Sequence, residues 1–73
     1  MLVEDRLKLI ANSTTSTSND DALVTSLLIK LGFRDAMVVS GIVYLGFMGY
    51  PPESIHTVAR ELLNYKPLTN KRR

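Results

Sequence analysis

The side chains best equipped for chemistry fall late in the chain, where Ser54, His56, Thr57 and Arg60 lie within seven positions. A hydroxyl close to an imidazole suggests a nucleophile with its base, but that pairing needs a third group to orient the ring, and no orienting carboxylate is evident. The chain has no cysteine for His56 to activate, and this lone histidine cannot assemble a metal cage. Asp20 and Asp21 are adjacent carboxylates, yet they suit the first turn of a helix better than an acid–base pair. Gly41, Gly46 and Gly49 sit inside or at the end of an apolar run, so they do not form a phosphate-cradling loop. The sequence therefore predicts no catalytic residue, no metal, no cofactor and no small-molecule substrate. What it predicts is a protein that acts by binding.

One motif offers a mechanism for binding. Ser54, Thr57, Val58, Arg60 and Leu62 are spaced as Ser-x-x-Thr-Val-x-Arg-x-Leu, which resembles the recognition helix of many helix-turn-helix proteins. The resemblance implies that Ser54, His56, Thr57 and Arg60 face the DNA major groove while Val58 and Leu62 pack inward. This chain departs from the pattern in three places. The preceding helix would be a charge-free segment, Pro51 and Pro52 replace the usual turn, and Glu53 and Glu61 would repel phosphate.

The charge distribution bears on the same question. The formal net charge is +2, but Lys66, Lys71, Arg72 and Arg73 place +4 in the last eight residues, so residues 1–65 carry −2. A basic tail on a mildly acidic body is a weaker footprint for DNA than a contiguous basic face. Lys71, Arg72 and Arg73 are the tail residues that would accompany the last helix on DNA.

The elements that position these groups can be read in order. At 73 residues the chain holds one domain at most, and at that size a single core supplies only about 3–5 kcal/mol. With no disulfide to help, association with a copy or a partner is the expected source of further stability. A hydrophobic content of 45% against 22% charged residues marks a folded chain. The first residues, with Glu4 and Asp5 followed by Arg6 and Lys8, do not read as an export signal, so a cytoplasmic setting is expected.

Val3, Leu7 and Ile10 make a stripe at i, i+4, i+7, which predicts a short amphipathic arm helix over 1–11. Residues 12–19 are all small and polar, a linker with the hydroxyls for a modification site. This joint would let the arm pack on its own domain or on a neighbour's. A helical core domain is expected over 20–65 and a basic tail over 66–73. Within the core, a second helix should have Ser18 or Asn19 as its N-cap and Asp20 and Asp21 in its first turn, carry Leu23, Val24, Leu27, Leu28 and Leu31 on its apolar side, and stop at Gly32 with Phe33 folding back. A last helix should start near Pro52, with Ile55, Val58, Leu62 and Tyr65 on its buried face.

Between these helices, residues 36–50 contain no charge. A membrane crossing needs about 20 apolar residues, so this stretch is too short for one. Two foldings compete. As a helix it is apolar on every side; as a β-hairpin over 38–45 it places Val38 and Val39 against Ile42, Val43 and Tyr44 across Ser40 and Gly41. Consistency with its helical surroundings selects the helix, giving an all-α bundle of about four helices, dimeric through whatever the neighbours leave uncovered. On that reading the protein interface comprises Val3, Leu7, Ile10, Met37, Tyr44, Phe47, Met48 and Tyr50. The expected function is that of a small regulatory or adaptor protein, a homodimer or the partner of a larger protein. The alternative is a dimeric DNA-binding regulator.

Overall fold

A computed structural model of the chain describes residues 3–46 and 49–65. The order of elements is α1 (Val3–Ala11), α2 (Ser18–Lys30), β1 (Met37–Val39), β2 (Ile42–Tyr44), β3 (Glu53–Ser54) and α3 (Ile55–Leu63). The three strands form one antiparallel sheet in the order β1-β2-β3. The fold is thus α+β, with three helices and a small sheet, and the expected all-α bundle of about four helices is incorrect.

The error lies in the central segment, which takes the hairpin conformation. β1 and β2 pair Met37 with Tyr44, Val38 with Val43 and Val39 with Ile42, leaving Ser40 and Gly41 as a two-residue turn. Both turn residues have positive φ, 51° and 78°, which gives the turn a twist that suits the right-handed twist of the strands. The four β-branched residues around it favour the pleated surface over a helix, where their χ1 freedom is restricted. An isolated hairpin is marginal, but this one has a third strand and two helices to lean on. β3 pairs Ser54 with Ile42 and Glu53 with Val43, and α2 and α3 pack against the sheet.

Because Glu53 and Ser54 join the sheet, α3 begins later than the Pro52 start expected from sequence. Ser54 caps it, its Oγ accepting from the His56 N–H at 3.2 Å. The Ile55 N–H meanwhile donates to the Gly41 carbonyl at 2.8 Å, fastening the helix start to the hairpin turn.

The second helix stops where its sequence signals place the end but starts earlier than expected, with Ser18 and Asn19 inside it rather than at the cap. Thr17 caps it, and Asp20 at the third position completes a reciprocal box: Asp20 N–H donates to Thr17 Oγ1, and Thr17 N–H to Asp20 Oδ2. At the other end Gly32, with φ of 108°, closes a Schellman motif, its N–H bonding Ile29 and the Phe33 N–H bonding Leu28. Phe33 packs back against the core, as the spacing predicts.

One core joins all these elements. Leu7 and Ile10 of α1, Val24, Leu27 and Leu28 of α2, Val38 and Val43 of the sheet, and Ile55, Val58, Ala59 and Leu62 of α3 are buried together. The principal partner of α1 is α3. Among the described residues no helix is long and apolar enough to cross a membrane.

Candidate protein interface

The period of a strand decides what the hairpin shows to solvent. Directly paired residues project from the same face of a sheet, so Val38 and Val43 share the inner face and are buried. Met37, Val39, Ile42 and Tyr44 share the outer one. An antiparallel sheet with one solvated face normally alternates apolar and polar residues. Here the outer face is apolar as well, with Met37 53%, Val39 49% and Tyr44 39% exposed. Two of the residues expected at an interface, Met37 and Tyr44, are therefore cross-strand neighbours on one patch, and Val39 joins them. Val39 is absent from the expected interface because a helix over about 35–48 turns it away from the face that residues 37 and 44 share at i and i+7.

The other expected interface residues are distributed differently. Leu7 and Ile10 lie in the chain's own core at 1% exposure each, against α3, so they are closed off in this fold. Val3 and Tyr50 are exposed. Phe47, Met48, Lys71, Arg72 and Arg73 lie outside the described residues, as does the expected tail over 66–73.

On the inner side of the sheet an open groove of about 400 Å³ runs between the end of α2, the strands and α3. Leu28, Leu31, Phe33, Val43, Leu45, Val58 and Leu62 form its floor and walls, with Tyr50, Pro51 and Tyr65 at the side. The charged residues lining it are Glu53 and Glu61. A second recess, rich in hydroxyls, is bordered by Ser16, Thr17, Ser18, Ser40, Ser54, Asp21 and His56. The Oδ1 atom of Asp21 is buried there with no hydrogen-bond partner among the described residues. Those residues contain no group of three acids, histidines or cysteines that could hold a metal ion.

The residues of the helix-turn-helix-like motif are engaged within the chain. The His56 Nδ1 lies 2.8 Å from the Ile10 carbonyl, which can only accept, so Nδ1 carries the proton and donates it. One turn further along, the Arg60 Nε–H donates to the Ala11 carbonyl at 3.4 Å. Together they cap the C-terminal end of α1, where exposed carbonyls and the helix dipole favour donors and positive charge. Ser54 serves as an N-cap and Thr57 is half-buried. The element before α3 is a strand, so the helix pair that the resemblance implies does not form among the described residues.

A polar lock ties the front of α1 to the start of α2. Asp20 is 5% exposed, and its Oδ1 accepts from both the Nε and an Nη of Arg6. Burial alone would raise the Asp20 carboxyl pKa. The Thr17 N–H, the Arg6 guanidinium and the Thr17 hydroxyl outweigh it and hold the carboxyl below its ordinary range. Lys8 and Glu4 add an exposed pair at 3.9 Å, of a kind that contributes about 0–1 kcal/mol.

Compared with known proteins, the chain matches no family model, no curated protein and no solved structure.

Proposed function

We propose that this is a small regulatory or adaptor protein that acts by protein–protein contact, and that it does so as a homodimer joined through the outer face of the hairpin. The observation that carries the reading is the apolar outer face of the sheet: Met37, Val39 and Tyr44 on one patch, on a hairpin whose other face is already core. Covering a side chain of this size contributes about 1.5–3 kcal/mol when burial is complete, so three of them form the centre of an interface. A twofold axis over the hairpin would set the patch of one copy on that of the other, which is the self-complementary arrangement most dimers use. A chain of this size also gains most from such help. The reading sets the protein in the cytoplasm, where a chain without cysteine needs no oxidising environment.

Analytical ultracentrifugation tests it. The expected result is a dimer at micromolar concentration that becomes a monomer in Tyr44→Glu and Met37→Lys, both with unchanged helical circular dichroism. A wild-type monomer at that concentration, or a dimer indifferent to both changes, would overturn the homodimer.

A further inference from the structure

The structure assigns a second docking site to this chain: the groove on the inner side of the sheet binds an amphipathic segment of another protein that carries a lysine or arginine beside its apolar residues. The inference rests on the reading of the chain as an interaction protein, but not on its dimerisation, because the groove and the outer patch lie on opposite sides of the sheet. Two helices supply the apolar walls at helical spacing, Leu28 and Leu31 from α2 and Val58 and Leu62 from α3. The resulting slot suits side chains at i, i+3 and i+4 of an incoming helix, the usual pattern for a helix laid in a groove.

The charges decide which segment fits. Glu53 is paired directly with Val43, so its carboxylate projects from the sheet's inner face, toward the groove rather than away from it. An inward charge on a short edge strand also discourages strand pairing, which would explain Glu53 taken alone. It does not explain Glu61, which reaches the same groove from α3. Among the described residues neither carboxylate forms an ion pair and none of those lining the groove is a cation. The chain as a whole carries +2, because residues 66–73 hold +4, so the attraction of a basic segment rests on these two carboxylates at short range. An acidic segment would meet two like charges here, and a purely apolar one would leave both carboxylates facing it without a partner.

The test uses the full chain and a phage-displayed pool of amphipathic peptides of roughly 14 residues, about four helical turns, with Lys, Glu and Gln equally represented at the polar positions. Selected peptides are expected to place Lys next to an apolar pair and to shift the NMR methyl signals of Leu31, Val58 and Leu62. The double variant Glu53→Gln, Glu61→Gln changes two exposed side chains and keeps the fold. It should weaken binding about three- to tenfold, and the wild-type affinity should fall with salt while that of the variant falls less. Four outcomes would overturn the inference: no enrichment, a consensus without basic residues, shifts confined to Met37, Val39 and Tyr44, or an affinity indifferent to the double variant. Sedimentation of the same samples reports the dimer separately, so loss of one site is distinguishable from loss of the other.

Discussion

The two ends of the molecule treat their side chains in opposite ways. Where α1 meets α2 and α3, the polar groups that bear charge or donate strongly are turned inward and engaged: Arg6 on Asp20, His56 on Ile10, Arg60 on Ala11. At the hairpin, apolar side chains stand on both faces of the sheet and half of them meet solvent. Polar residues are thus consumed by the fold, while apolar ones are left over for contact. In a chain with so few elements, exposure of an apolar face is the more telling sign of a functional surface than the presence of a reactive side chain.

That contrast can be broken most severely at the interlocked end. Leu7→Ala should cost about 2–5 kcal/mol by urea denaturation, since Leu7 is fully buried between helices from the two ends of the chain. A loss below about 0.5 kcal/mol, the range of surface changes, would mean that α1 is a detachable arm after all. Asp20→Asn comes next, at about 1–3 kcal/mol, because one amide oxygen cannot accept from both Arg6 and the Thr17 N–H and the charge that pairs with Arg6 is gone. This residue also sets an acid dependence. Its folded carboxyl ionises more readily than the unfolded one, near 3.9, so its stabilisation is complete above about pH 4 and disappears as the pH falls through the lower folded value. Thermal melts from pH 6 down to pH 2 should therefore show a smaller acid loss in Asp20→Asn than in the wild type. An equal loss would place the acid-sensitive group elsewhere.

At the hairpin the effects should be smaller on stability and larger on assembly. Gly41→Ala is expected to cost about 1–2 kcal/mol, because φ there is +78° and an added Cβ would stand 2.8 Å from Ser16 Oγ. A neutral result would show that the turn can relax without disturbing the strands. Tyr44→Glu and Met37→Lys should hardly alter the monomer's stability, within about 0.5 kcal/mol, while abolishing the dimer. A hierarchy running the other way, with the hairpin costly and α1 cheap, would reverse the contrast.

What the sequence revealed follows the same division. The end of α2 was legible, and its start nearly so, because each signal there is local: acidic residues in the first turn, the leucine stripe, Gly32 and then Phe33. The buried stripe of α3 was legible for the same reason as far as Ile55, Val58 and Leu62, whereas Tyr65, expected to continue it, lies past the end of the helix and is exposed. The hairpin was weighed and set aside, because its stability depends on β3, and β3 is two residues long and reads as the beginning of a helix. A pairing partner so short leaves no periodicity to detect. The groove was not legible either, since its walls come from α2, β2 and α3, and only the packed fold sets Glu53 beside Glu61. Met37 and Tyr44 were identified as contact residues on the ground that an uncharged segment must be covered. The sheet register keeps them on one face and sets Val39 beside them.

The cap that His56 and Arg60 place on α1 has a consequence for how the chain must fold. These bonds join residues 46 and 49 positions apart, and among the described residues α2 and the strands are made between α1 and α3. Until α3 exists, α1 lacks its apolar partner and the side-chain donors of His56 and Arg60, and at nine residues it is too short to persist alone in water. Folding is therefore expected to be a single late event, awaiting the closure of a long loop rather than growing from the N-terminus. A nascent chain that has made α1, α2 and the hairpin can pack α2 on the sheet but still leaves the apolar stripe of α1 uncovered, which makes the interval before α3 emerges the time at which this protein is most exposed to aggregation and to proteases.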